Sequence, residues 1–308
     1  MYAAGIDENG LAPLLGPMVV TGVVTSIPHD ACECLKVPRG GFPGLRDSKK
    51  IFSQKKLTRG ESLALAIIHA LTGRLPSSMM DLLRLLSPGG APVFPCTGGG
   101  VPGFCLDVDV PIPVWASRAE VDETAGTVGR LLGEAGQFSG AVRSVFWCPL
   151  MLNDQWEAGV NKFTVDLRSF LLLAAHFRSV LPGPLDVVAG KVGSRVFYEE
   201  ELGRIGLLPM VLRRCREESC YRVGQELVLR FVVDADDKFV HVSMASIVGK
   251  YVREVFMEAL YRLAVRRCGE RLRRPSGYRD RVSKEFIRKF EPVLAREGIS
   301  RRCLVRDR

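Results

Sequence analysis

Apolar positions along this chain switch between strand-like and helix-like spacing, and the switches predict an α/β protein. Residues 2–7 and 18–26 are rich in β-branched and apolar side chains, with turn-forming glycines and prolines between them, so we expect two neighbouring strands. Apolar residues then recur at helical spacing over 53–72 and 163–181, and the second run is followed by a short apolar strand over 185–190.

The same alternation continues through the last third of the chain. "PMVLRRC" and "ELVLRFVVDA" are predicted to extend the sheet, and "VSMASIVGKYVREVFMEALYRLAVRR" is predicted to be a long helix. We therefore predict one domain over 1–308, in which helices flank a mixed sheet and the C-terminal part is helical.

One region interrupts this pattern. Residues 87–103 are too rich in glycine and proline for a regular element. Around them we expect an insertion over about 75–150, which contains a strand at 105–112, a helix near 118–136 and a strand at 140–148. The function of this insertion is not readable from its residues.

Composition narrows the class of protein. With 308 residues and 47% hydrophobic content, the chain can bury a large core. Charged residues interrupt every long apolar run, and no signal-peptide pattern begins the sequence, so we expect a cytoplasmic protein without membrane contact. The nine cysteines form no C-x-x-C pair, which argues for a reducing compartment and against a zinc site.

Positive charge is concentrated in the last third of the chain. Residues 211–308 contain 24 Lys and Arg against 14 Asp and Glu, whereas residues 1–210 contain 19 against 20. A basic region of this kind favours a polyanionic partner such as a nucleic acid. A solvated basic surface is the alternative, and charge alone does not separate the two.

Two acidic clusters are candidates for metal binding. Asp7 and Glu8 are adjacent in "GIDENG", and Asp236 lies in "DADD" after an apolar strand. Carboxylates at the ends of neighbouring strands are the oxygen ligands that Mg²⁺ prefers. The Asp7-Glu8 pair taken alone is also compatible with a solvated strand end.

Four separated motifs resemble type 2 ribonuclease H, the ribonuclease HII family. They are "GIDENGLAPLLGPMVV", "RDSKK", "DADDKFVHVSMASIVGKYVRE" and "SGYRDRVSKEF". The resemblance covers residues 1–72 and roughly 160–290, and it is greatest for a longer bacterial branch of the family. It implies a ribonuclease H-like mixed sheet and hydrolysis of the RNA strand of RNA–DNA hybrids, or of ribonucleotide-containing duplexes, with Mg²⁺ or Mn²⁺.

The resemblance also implies roles for individual residues. Asp7, Glu8 and Asp236 match the family's catalytic, metal-binding acids, and Tyr278 matches the tyrosine that stacks at the RNA–DNA junction. Lys49 and Lys50 of "DSKK" match lysines near the substrate backbone.

Two departures from the family pattern weaken the inherited activity. Gly190 stands where the family has a central catalytic aspartate, and Asp186 lies at the wrong end of the same strand to replace it. Gly10-Leu11-Ala12 replaces the family's glycine-flanked junction sensor. Two-metal hydrolysis needs ions about 4 Å apart, and a central carboxylate usually supports both. We therefore expect the second ion to bind weakly.

Further residues have a functional and an ordinary interpretation. Lys162 could contact phosphate or simply begin a helix, and Lys250 with Arg253 could approach a nucleic-acid backbone or only solvate a helix face. His241 could shuttle a proton, although a single histidine is more often structural.

These observations lead to one main prediction and two alternatives. We predict a monomeric, metal-dependent endonuclease acting on RNA–DNA hybrids and impaired by Gly190. The first alternative is a catalytically inactive hybrid-binding protein of the same fold, and the second is a scaffold whose basic region contacts acidic proteins.

Overall fold

A mixed sheet forms the centre of the molecule. The computed structural model describes residues 1–27, 57–90, 108–134 and 140–307. Within these ranges there are seven strands in one sheet, in the order β3-β2-β1-β4-β7-β6-β5. The strands are β1 (Tyr2–Asn9), β2 (Met18–Ser26), β3 (Gly140–Trp147), β4 (Leu185–Gly190), β5 (Pro209–Arg214), β6 (Glu218–Val223) and β7 (Leu227–Val232).

The three central strands are parallel. β4 pairs in parallel with β1 on one side and with β7 on the other, whereas the strands toward both edges are antiparallel. Parallel neighbours bring their C-terminal ends to the same edge of a sheet, which is where α/β proteins usually bind ligands. This edge therefore gathers the residues that follow β1, β4 and β7.

Helices cover both faces of the sheet. The longest, α8 (Val240–Cys268), packs across β1 and β2. The remaining helices are α1 (Leu57–Thr72), α2 (Met79–Leu86), α3 (Arg118–Glu134), α4 (Pro149–Glu157), α5 (Lys162–Val180), α6 (Glu199–Arg204), α7 (Ala235–Lys238) and α9 (Arg281–Arg296), with a 3₁₀ turn at Arg301–Cys303. None of the helices in the described ranges has both the length and the apolar character needed to cross a membrane.

Two large apolar clusters lie on opposite faces of the sheet. On one face, α8 packs with α1, α2 and α3 against β2 and β3. On the other face, α5 packs against β1, β2, β4 and β7. The apolar stripes predicted for the two long helices are thus buried on opposite sides, and each helix can reach the C-terminal edge of the central strands.

The 75–150 region is tied to this core. β3 pairs with β2, so the end of the region extends the sheet. The buried carboxylate of Glu61 on α1 accepts hydrogen bonds from the backbone N–H groups of Val114, Trp115 and Ala116, at 2.6, 2.5 and 2.6 Å, and from the Tyr251 hydroxyl at 2.9 Å. One side chain therefore fixes this segment to two core helices.

Most predicted elements have counterparts in the structure, but one predicted strand is mostly irregular and several short elements were not predicted: α2, α4, α6 and β6. The described part of the predicted strand at 105–112 is Val108–Ile112, which contains only a single bridge between Ser78 and Pro111. β6 was not predicted, because "ESCYRV" mixes charged and apolar residues in a short span. Residues 53–56 of the first predicted helix lie outside the described residues.

Candidate active site

A cleft of about 480 Å³ lies at the C-terminal edge of the central strands. Five acidic residues from four parts of the chain line it: Asp7, Glu8, Asp166, Asp236 and Glu254, of which Glu254 pairs with Arg274. Basic and aromatic side chains line it as well, among them Lys191, Lys250, Arg253, Arg274 and Tyr278. Gly190, at the end of β4, also faces this cleft.

Asp7 and Glu8 both line the cleft although they are adjacent on β1. The antiparallel pairing of β1 with β2 continues to Asn9, but the parallel pairing with β4 ends at Ile6. Among the described strands, none pairs with β1 beyond Ile6 on the β4 side. This open strand edge allows two consecutive carboxylates to line one cavity.

Burial acts on both carboxylates, and the charge of Glu8 acts on Asp7 as well. Burial, reinforced by the charge of Glu8, raises the pKa of Asp7 to about 8. Burial likewise raises the pKa of Glu8, against the opposing effects of the Leu11 backbone N–H and of the Arg306 and Arg253 charges. A cation in the cleft would favour the ionised form of both groups.

The turn after β7 directs Asp236 into the cleft. Asp234 has a left-handed backbone with φ of 52°, and the short helix α7 begins immediately after it. Of the three aspartates in "DADD", Asp236 lines the cleft, and its charge adds to the rise in the pKa of Asp7. Asp237 is exposed and lies outside the lining.

Gly190 leaves room beside Asp7. A Cβ at position 190 would lie 3.9 Å from Asp7 Oδ1, with no other contact from non-adjacent described residues within 4 Å. Asp186 lies at the other end of β4, in register with Ala3, and its Oδ2 is 3.4 Å from Arg230 Nη1. It is therefore engaged away from the cleft, as its place in the strand predicts.

Asp166, which also lines the cleft, was not predicted from the sequence. It lies on α5, whose N-terminus is capped by the Asn161 side chain accepting from the Thr164 N–H. Its side chain is 2% exposed, and Oδ1 has no hydrogen-bond partner among the described residues. Burial, with the charges of Glu8 and Asp7, raises the pKa of Asp166 well above its usual range. The available signal was an acidic residue within the apolar run "FTVDLRSFLLL", because isolated carboxylates are seldom fully buried.

The predicted substrate-binding residues are only partly brought together. Lys250 and Tyr278 line the cleft. Lys162 is half-buried outside the lining, with its ammonium 5.4 Å from the Phe163 ring centroid, although its charge acts on Glu8. Lys49 and Lys50 lie outside the described residues.

Two further predictions are refined by the structure. Arg253 lines the cleft but is 5% exposed, and its Nη2 donates to the Leu15 carbonyl at 3.2 Å, so it supports the loop after β1. His241 is buried with Nε2 2.7 Å from Thr25 Oγ1, and it is not among the cleft-lining residues. That position favours the structural interpretation of His241.

The donor chemistry of the cleft suits a hard divalent cation. Glu8 Oε2 and Asp166 Oδ1 are both buried without a hydrogen-bond partner in the described structure. As positioned, no three His, Cys, Asp or Glu side chains of the described residues form a group that could hold a metal ion. Mg²⁺ commonly keeps several waters and takes only one or two carboxylates, so it does not require such a group.

Comparison with known proteins gives a partial sequence match. No family model matches the chain. Ribonuclease HII of Hyperthermus butylicus is 40% identical over 87 residues, a stretch that covers 27% of this chain and 32% of that protein. The match therefore spans about a third of the length of the curated relative.

Solved structures give a weaker likeness over the whole chain. Ribonuclease HII in the PCNA complex from Archaeoglobus fulgidus has a TM-score of 0.46 and 20% identity, over all of this chain and 95% of that one. Bst-RNase HIII in complex with Mn²⁺ has a TM-score of 0.45 and 15% identity, over all of this chain and 66% of that one. These two likenesses leave the activity of the chain open.

The curated match and the four motifs agree on the family although they differ in kind, since one is a continuous alignment and the other a set of separated segments. The partial match is therefore to a protein of the family that the motifs predict.

Proposed function

We propose that this protein is a metal-dependent endonuclease that hydrolyses the RNA strand of RNA–DNA hybrids or of ribonucleotide-containing duplexes. The observation that carries the proposal is the gathering of Asp7, Glu8 and Asp236 in one cleft with Lys250 and Tyr278. Three of the four motifs supply these residues, from distant parts of the chain. We expect the protein to act as a monomer in the cytoplasm.

Mg²⁺ or Mn²⁺ is the cofactor that the acidic residues fit. Asp7, Glu8 and Asp236 would hold it, and the orphaned Glu8 Oε2 is the observation that supports the fit. When bound, such ions activate a water and stabilise the leaving oxygen of a phosphodiester. Burial raises the pKa of Asp7 and of Glu8, so a cation held at the end of β1 would favour the ionised form of both carboxylates.

Basic side chains on the cleft wall are suited to hold the substrate backbone. Lys191 Nζ donates to the carbonyls of Cys215 and Arg216 at 3.0 and 2.9 Å, which fixes its ammonium near the end of β4. Lys250 lines the same cavity from α8. Phosphate contacts of this type position a nucleic acid without reading its sequence.

Tyr278 is suited to stack on a base or sugar. Its side chain is 53% exposed at the cleft, and its ring centroid is 5.9 Å from the Arg253 guanidinium carbon. An exposed aromatic ring beside a buried cation is available to a ligand and gains little from the core.

Gly190 favours a second candidate function, that of a protein which binds RNA–DNA hybrids but does not hydrolyse them. The glycine places no carboxylate at the end of β4, next to Asp7, where the family has its central acid. A protein of this kind would keep the basic and aromatic contacts and lose hydrolysis.

A cleavage assay separates the two candidates. An end-labelled RNA–DNA hybrid is incubated with the protein and either Mg²⁺ or Mn²⁺, alongside duplex RNA and duplex DNA. Metal-dependent cleavage confined to the RNA of the hybrid is expected. Asp7→Asn should abolish it, whereas Asp237→Asn, which removes an exposed charge outside the cleft, should not.

Binding without cleavage in both metals would favour the second candidate. Absence of both binding and cleavage would exclude the two together and would leave the scaffold alternative.

A further inference from the structure

An acidic side chain enters the cleft from a helix on the face opposite α8. Asp166 lies in the second turn of α5, and Phe170, one turn later, lines the same cleft. Residues four apart share one side of a helix. The α5 surface at the cleft therefore presents a carboxylate at a position where its other neighbours, Val165 and Leu167, are buried apolar residues.

The surroundings of Asp166 do not compensate for its burial. The side chain is 2% exposed, and Oδ1 has no hydrogen-bond partner among the described residues. The nearby charges that act on it most are the carboxylates of Glu8 and Asp7, which repel it. A buried carboxyl oxygen with neither a donor nor water access is costly unless something else fills the gap.

Glu8, which lines the same cleft, contributes a second carboxyl oxygen that is unpartnered among the described residues. Glu8 Oε2 is also buried and lacks a partner within the described structure. Glu8 on β1 and Asp166 on α5, each with one buried carboxyl oxygen that no described residue partners, therefore line a single cleft. A cation between them would satisfy both, whereas no hydrogen-bond donor of the described protein does so.

β4 ends at Gly190, which has no side chain and so supplies no carboxylate to the cleft. A Cβ on Gly190 would lie 3.9 Å from Asp7 Oδ1 in otherwise open space. The cleft thus lacks an acid on the β4 side and has an additional one on the α5 side.

We propose that Asp166 is the fourth carboxylate of the metal site, taking on from α5 the metal-binding role that the glycine at the end of β4 cannot fill. The inference rests on the proposed function, because it assumes that Asp7, Glu8 and Asp236 bind a divalent ion. It concerns metal affinity, and it adds a ligand that the four motifs do not contain.

Mn²⁺ binding to the full chain tests this role without relying on cleavage. Isothermal titration calorimetry at pH 8 is carried out on the wild-type protein, on Asp166→Asn and on Asp237→Asn. Asp166→Asn should weaken Mn²⁺ binding at least about tenfold, since loss of even an outer partner of a ligand costs about 10–100-fold. Asp237→Asn should bind as the wild type does.

A compensating variant provides the sharper test. Because position 190 has room for a side chain, Gly190→Asp combined with Asp166→Asn should recover most of the lost Mn²⁺ affinity. Recovery would be unexpected if Asp166→Asn had merely disturbed α5. Circular dichroism and melting temperature establish that each variant is folded, and Asp166→Ser replaces Asp166→Asn if the latter is not.

The outcomes distinguish this inference from the proposed function. If Asp7→Asn abolishes Mn²⁺ binding while folded Asp166→Asn binds as the wild type, the role of Asp166 is wrong and the proposed function stands. If the wild type binds no Mn²⁺, both are wrong. If Asp166→Asn weakens binding and the double variant does not recover it, the exchange between positions 166 and 190 is overturned.

Discussion

Asp7 Oδ1 lies 3.9 Å from the point that a Cβ on Gly190 would occupy, so the last residue of β4 faces the first acidic residue of β1 across the cleft. It shows where the carboxylate would lie that the glycine at position 190 does not supply. A side chain at position 190 would project next to Asp7, with room to do so.

Gly190→Asp is therefore expected to increase Mg²⁺-dependent cleavage of a hybrid by at least about tenfold, because it adds an oxygen ligand from the sheet side of the cavity. The rate is measured under single-turnover conditions on a labelled hybrid. Asp7→Asn on the Gly190→Asp background should remove the gain. If a folded Gly190→Asp protein binds Mg²⁺ but cleaves no faster than the wild type, the glycine is not what limits the reaction.

Tyr278→Ala is expected to weaken binding of a hybrid by about 1–3 kcal/mol, the usual effect of removing an aromatic ring that stacks on a base. Its free energy of unfolding should change by less than about 0.5 kcal/mol, since the side chain is 53% exposed. Fluorescence anisotropy and urea denaturation measure the two effects. Phe197→Ala is the matched control, because that ring is 66% exposed and lies outside the cleft. Equal losses of binding and stability for Tyr278→Ala would make Tyr278 a packing residue.

Affinity for a hybrid is expected to fall at least about tenfold between 50 and 200 mM salt, roughly the range over which phosphate-contacting proteins lose affinity by counterion release. Anisotropy across a salt series measures the slope. Lys250→Gln should reduce the slope by about one unit, and Lys284→Gln, at an exposed position of α9 outside the cleft, should leave it unchanged. If affinity for the hybrid does not change with salt concentration, the basic side chains do not bind its phosphates.

His241 is expected to make the fold sensitive to acid. Burial lowers the pKa of His241 to about 4, while an unfolded histidine has a pKa of about 6.5. Below pH 6.5 the unfolded chain takes up a proton that the folded chain refuses, so stability falls as pH falls from 6.5 to about 4. Between pH 7.5 and 5 this linkage amounts to about 2 kcal/mol.

Urea denaturation of the wild type and of His241→Gln at these two pH values checks the linkage. The variant should lose about 2 kcal/mol less than the wild type on acidification, whatever its stability at pH 7.5. Identical losses in the two proteins would mean that His241 is protonated in the folded state or exposed by local opening.

Long periodic segments were predictable from the sequence, and so was the edge of the sheet on which the site lies. α8 and α5 carry many apolar residues over several turns, and β1, β2, β4 and β7 are short apolar runs between turn residues. Asp7, Glu8 and Asp236 were found because they follow or end such strands. The strand order was not readable, since pairing between β1 and β4 joins residues far apart in the chain.

Asp166, Lys191 and Arg274 were not predicted as cleft residues because their roles depend on tertiary placement. Asp166 lies within a helix whose neighbouring residues are apolar, and local spacing does not show which helix face meets the cleft. Arg274 could not be distinguished from the other basic residues of the last third, although it pairs with Glu254 and Glu258 at 3.0 and 3.1 Å. A charged residue within an apolar helical run, such as Asp166, is thus the sequence signal that points to a buried site residue.

The guanidinium of Arg306 is 1% exposed and donates to the carbonyls of Gly10 and Gly16, which bound the loop after Asp7 and Glu8. Because Arg306 follows Gly16 by 290 positions, the loop cannot acquire these contacts before position 306 has left the ribosomal exit tunnel. Until that point of synthesis, a nascent chain would hold Asp7 and Glu8 without the support of Arg306.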